Sequence, residues 1–222
     1  ECFDALFARE PIEWNRIGVF QDITMRLSAE RVLPEGHAPT CIAGEITQAP
    51  VQLPPPRRGC KYHLYVSPHN LKANEFALEV ADWLARRQPK AAPGLQHATQ
   101  LDALEQCEAM LLYLNGLTWT SGWRTASLSE EIAHAMRLGI PILLAHEMPG
   151  VGGHEERHGV AFSTFFDSSA TPIELIKANI YGTIAVPLKG GPWREGSMVQ
   201  MVQAIAAVPE RSDPQSIDAP VV

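Results

Sequence analysis

The stretch 107–149 constrains the fold more than any other part of the chain, because it reads as strand, loop, helix, strand. Met110-Leu111-Leu112-Tyr113-Leu114 is an apolar run closed by Asn115-Gly116, which suits a strand buried on both faces. A polar loop with Trp119 and Trp123 follows. Ser127-Leu128-Ser129-Glu130 has the form of a capping box, a hydroxyl at a helix start with a carboxylate three residues on. The helix it predicts carries Leu128, Ile132, Ala135 and Met136 on one face and stops at Gly139. Pro141-Ile142-Leu143-Leu144-Ala145 then opens the next strand. Parallel strands joined through a helix form a right-handed crossover, and strands this apolar need a sheet covered on both sides.

One residue of this unit sits oddly. At about 100° per residue, Glu130 points away from the apolar stripe while Glu131 falls on its border. Glu130 reads as the capping residue. Glu131 is a carboxylate held near the core, close to the strand ends where sheets of this kind bind ligands. The plain alternative is that it only complements the positive end of the helix.

The same rhythm runs on both sides. Tyr62-His63-Leu64-Tyr65-Val66 predicts a first strand, Ser67-Pro68-His69-Asn70 a turn with Asn70 as N-cap, and 71–87 a helix burying Phe76, Ala77, Val80 and Leu84. Residues 95–101 suggest a weak second strand and 102–108 a short helix. Thr171-Pro172-Ile173-Glu174 is a second capping box, opening a helix to Tyr181. Residues 183–188 predict the fifth strand, and a last helix from Pro192 turns Met198, Met201, Val202 and Ile205 inward. Alternating strands and helices between 60 and 208 make an α/β, flavodoxin-like, doubly wound five-stranded parallel sheet.

Outside this domain, 1–33 reads as an N-terminal extension, 34–59 as a proline-rich linker, and 209–222 as a disordered tail. A second reading of the extension exists. Laid without gaps, 11–27 matches 172–188: Pro11, Ile12, Glu13, Ile23 and Leu27 coincide with Pro172, Ile173, Glu174, Ile184 and Leu188. The N-terminus would then be the tail of a preceding repeat module.

Composition narrows the partners. Net charge is −7, which argues against a general nucleic-acid or membrane-surface role. No run nears the roughly 18 apolar residues of a membrane span. The chain begins at Glu1, as a fragment or processed product would, so a targeting segment could be missing. Cys2, Cys41, Cys60 and Cys107 form no CxxC pair and read as free thiols, which points to the cytoplasm.

From Cys60 to Val208 the pattern resembles a Toll/interleukin receptor (TIR) domain, in a divergent form like those of microbial eukaryotes, which are often tandem. The likeness rests on Tyr62-His63-Leu64-Tyr65-Val66-Ser67, on the run from Ala109 to Leu114 followed by Trp119, on Glu131-Ile132-Ala133-His134-Ala135-Met136, and on Pro141-Ile142-Leu143-Leu144. The resemblance implies a signalling module that self-associates. In members that hydrolyse NAD, the helix glutamate is catalytic; here that is Glu131. NAD is then a substrate rather than a cofactor, and nicotinamide release is the reaction. Breaking that bond builds positive charge on the ribose, which a nearby carboxylate stabilises. Two departures stand out. Ser127-Leu128 occupies the place of the family enzymes' Trp-Cys pair, and Gln100-Leu101-Asp102 replaces the usual Arg-Asp-Pro-Gly loop.

The strand ends should line one crevice with Ser67, His69, Asn70, Asn115, Trp119, His146, Glu147, Lys189 and Arg194. Within it, Trp119 would stack on a ring, and Ser67, Asn70, Asn115, Lys189 and Arg194 would hold the ribose and phosphates. A catalytically inactive scaffold module of a larger protein is the alternative. A weaker one is a zinc hydrolase through His154 and His158, since 154–158 spells H-E-x-x-H. The flanking glycines and two charged central residues speak against a buried zinc helix there, so no metal is expected.

Overall fold

The computed structural model describes residues 53–87, 94–120, 122–150, 155–167 and 170–209, all within the unit Gln52–Val222. The extension 1–33, the linker up to 52, the tail from 210 and His154 lie outside the described residues.

The sheet is the expected one. Five parallel strands, β1 (Tyr62–Val66), β2 (His97–Ala98), β3 (Cys107–Leu114), β4 (Ile142–Glu147) and β5 (Val186–Leu188), stand in the order β2-β1-β3-β4-β5. The helices are α1 (Ala73–Arg87), α2 (Gly122–Arg137), α3 (Ile173–Lys177) and α4 (Arg194–Ala206). Every residue of the central strand β3 is buried, which is why its sequence shows no polar alternation. Its side chains still divide by period two. Met110, Leu112 and Leu114 join Leu128, Ile132 and Ala135 of α2 in one core cluster, while Tyr113 stacks on Phe76 of α1, 4.9 Å away on the other side. β5 carries an exposed Pro187, tolerable because an edge strand needs no partner on its outer side.

Several local expectations are corrected. α2 begins at Gly122, so Ser127 is no cap and the apparent capping box lies inside the helix. Nothing between Gly122 and Ser127 breaks a helix, and propagation from an earlier nucleus costs little. Asn70 does not cap α1 through its side chain, which is held by Tyr113. Thr171 does not cap α3 either; its hydroxyl bonds the Phe165 carbonyl at 2.6 Å, and α3 is only five residues long. β2 shrinks to two residues, and the second helix is a 3-10 turn over Leu101–Gln106. The helix stop at Gly139 holds, with φ +66 as a left-handed terminus requires.

The end of the proline-rich stretch packs on the domain. Leu53 is buried. His63 Nε2 donates to the Pro54 carbonyl at 2.8 Å, and the Arg57 N–H donates to Glu108 at 2.7 Å.

Candidate functional site

Because β1 is followed outward by β2 and then, on its other side, by β3, the strand order reverses between β1 and β3. Loops that leave a sheet at such a reversal run in opposite directions, which is where open α/β sheets form their ligand crevice. Both loops are tightly laced. The His69 N–H donates to Ser67 Oγ at 3.0 Å. Asn70 Nδ2 donates to the Tyr113 carbonyl at 2.9 Å, and its Oδ1 accepts the Tyr113 N–H at 2.8 Å. The amide thus pairs with β3 as one more strand residue would. Asn115 Nδ2 donates to the Leu71 carbonyl at 3.0 Å, and its Oδ1 accepts the Leu117 N–H at 2.7 Å.

On this frame sit five side chains. His69 Nε2 lies 3.6 Å from Glu131 Oε1, with the His69 side chain 25% exposed and that of Glu131 9%. The His69 ring meets Trp123 edge-on at 5.5 Å. Trp123 is exposed and carries the Arg124 guanidinium 4.9 Å above its ring. Beneath, Glu131 Oε2 and the Tyr65 hydroxyl are both buried; they interact with each other, but not in the geometry of a well-formed hydrogen bond. Burial, and after it the charge and the hydrogen-bonding pull of Glu131, push the Tyr65 phenol well above its usual pKa, so it stays protonated.

The helix dipole does not explain Glu131. It lies nine residues after Gly122, in the third turn, and the dipole's influence fades within the first. A carboxylate buried there with one oxygen unmatched is costly to the fold, of the order of 1–3 kcal/mol for the missing partner alone.

The remaining crevice residues are gathered elsewhere. Arg194 belongs to the face of β3 that packs on α1. Its Nε and Nη2 donate to Glu79 at 2.8 and 2.6 Å, Nη1 lies 2.8 Å from Glu147 Oε1, and its guanidinium stands over Phe76. Tyr113 also donates to Glu147, at 2.8 Å. Burial raises the Glu147 pKa against the pull of Arg194. Burial would raise that of Glu79 too, but the Arg194 hydrogen bonds and charge bring it below the ordinary value. Trp119 is core: its Nε1–H donates to the Tyr181 hydroxyl at 3.0 Å. The His146 ring turns into the Phe162 and Phe165 cluster and donates to the Val160 carbonyl at 2.7 Å. Burial lowers its pKa. Lys189 is half-buried, with its N–H on Ser197 Oγ at 2.8 Å.

The four residues 155–158 form turns rather than a helix, and His158 has φ +57. Among the described residues no cluster of metal ligands occurs. No described helix is long and apolar enough to cross a membrane.

Sequence reasoning reaches Glu131 and His69 separately but not their pairing. It misses Tyr65, whose period-two position on β1 sets it on the α2 side with Glu131. It also picks Trp119 over Trp123 as the ring platform, although only the latter is exposed. No protein-family model, no curated protein and no solved structure matches the chain.

Proposed function

We propose that this domain is a TIR-like module that binds NAD, or a closely related nucleotide, over the ends of β1 and β3 and hydrolyses its nicotinamide–ribose bond, with Glu131 as the acidic centre. One observation carries the reading: a buried carboxylate, one oxygen without a well-formed hydrogen bond, stands at the switch point of the sheet where helix-end electrostatics give it no reason to be. A fixed negative charge in a low-dielectric wall stabilises the positive charge that grows on the ribose as nicotinamide leaves. Trp123, exposed beside His69, offers the ring platform that the buried Trp119 does not.

The test is nicotinamide release from NAD at high protein concentration, because the resemblance implies that activity depends on self-association. The unsubstituted protein should release nicotinamide, and Glu131→Gln should lower kcat by at least about 10²-fold. Equal rates for the two proteins remove Glu131 from the reaction. A second reading is a silent scaffold module. It is favoured by the fact that the side chains of Asn70, Asn115, Trp119 and Arg194 are all bonded to protein groups. Absence of release, together with self-association in solution, selects that reading.

A further inference from the structure

Within the proposed reaction, on which this step rests, we infer that His69 is the general base that takes the proton of the attacking water, and that Glu131 acts on it from behind. The burial gradient leads there. The Glu131 side chain is 9% exposed and its Oε2 has no contact with solvent, whereas His69 stands in front of it, 25% exposed. A ligand approaching from solvent therefore meets the imidazole before the carboxylate. The imidazole is also held in place. Its backbone N–H is anchored on Ser67, its neighbour Asn70 is pinned to β3 from both ends of its amide, and its ring rests on Trp123. With Nε2 facing Glu131 Oε1 at 3.6 Å, the proton of a neutral ring belongs on Nε2, and Nδ1 is left as acceptor. That separation is an ion-pair distance rather than a closed hydrogen bond, and such catalytic contacts shorten when substrate binds.

The chemistry balances. The C1′–N bond breaks and nicotinamide leaves neutral with the bonding pair. The water oxygen bonds to C1′, and its surplus proton passes to His69 Nδ1. The resulting imidazolium is paired with Glu131 and later gives the proton to solvent. Tyr65 stays protonated throughout, so its hydroxyl can donate to Glu131 when the carboxylate shifts toward the imidazolium.

A base that serves only water can be separated from one needed earlier. If a nucleophilic pyridine such as 3-acetylpyridine replaces water, it attacks C1′ without losing a proton, so exchange of nicotinamide for the added base needs no general base. In His69→Gln, hydrolysis to ADP-ribose should fall about 10²-fold, and base exchange should change by less than about threefold. In His69→Ala, added imidazole should restore hydrolysis and leave exchange unchanged. Glu131→Gln should lose both reactions. Equal loss of hydrolysis and exchange in His69→Gln, or no loss of either, overturns the role given to His69 while leaving that of Glu131 standing. If the unsubstituted protein catalyses neither reaction, the proposed function itself fails, and this inference with it.

Discussion

Glu131 and Glu147 are both buried, and each lies beside a tyrosine of a central strand, Tyr65 on β1 and Tyr113 on β3. Their surroundings differ. Glu147 accepts the Tyr113 hydroxyl, sits 2.8 Å from Arg194, and through that guanidinium is joined to Glu79. Glu131 has one half-buried histidine at 3.6 Å, the Tyr65 hydroxyl beside it, and an oxygen with no well-formed hydrogen bond. Burying a charge is tolerable when the charge is paired and its lone pairs are matched; when they are not, folding alone gives no reason to keep it. The α1–α4 side of β3 therefore reads as a lock that ties both helices to the sheet. The α2 side is where the proposed site lies.

Removing the central cation of the lock, Arg194, should have the largest effect. Arg194→Met leaves Glu79 and Glu147 with the more distant Arg157 guanidinium, 3.8 Å from Glu79, and unfolding in urea should show a loss of about 3–5 kcal/mol. The same substitution in a Glu147→Gln background should cost clearly less, because one stranded charge is then gone. A loss below about 1 kcal/mol would mean that the cluster is hydrated in solution and that the contrast with Glu131 is illusory.

Sequence reading recovers the architecture because it depends on patterns a few residues long. β1 is legible to the residue, and the inward faces of α1 and α4 follow from helical spacing alone. It fails where one residue type has two uses that only distant partners decide. Asn70 suits an N-cap equally well, and Tyr113, 43 positions away, claims it instead. Trp119 and Trp123 are interchangeable on paper; Tyr181, 62 positions on, buries the first. The crevice list fails for a related reason. Strand order says which loops gather at one end of the sheet. It does not say on which side of β3 each long side chain turns, and this separates Arg194 and Glu147 from Glu131 and His69.

A smaller effect should come from the hydroxyl of the lock. Tyr113→Phe keeps the stack on Phe76 and removes only the 2.8 Å donor to Glu147. Stability should fall by about 1.5–3 kcal/mol, the cost of taking one hydrogen bond from a buried charged acceptor. The matching change on the other side, Tyr65→Phe, removes a hydroxyl whose contact with Glu131 falls short of a well-formed hydrogen bond and should cost less. Equal losses for the two would erase the distinction between the two carboxylates.

The smallest effect, and the sharpest test of the comparison, belongs to Glu131 itself. Glu131→Gln keeps the shape and replaces a poorly matched buried charge with a neutral amide. If the carboxylate contributed to folding, its removal would cost what a buried ion pair costs. If it is kept for a ligand, the variant should unfold within about 1 kcal/mol of the parent, with any difference in the direction of greater stability. Guanidinium or urea titrations of both proteins at neutral pH measure this directly. The imidazole contact at 3.6 Å is too long, and His69 too exposed, to make removal expensive. A fall of 3 kcal/mol or more would place Glu131 in the same class as Glu147. The unmatched oxygen would then have to be matched in solution by a water or by movement of Tyr65, and it could no longer be read as the mark of a site.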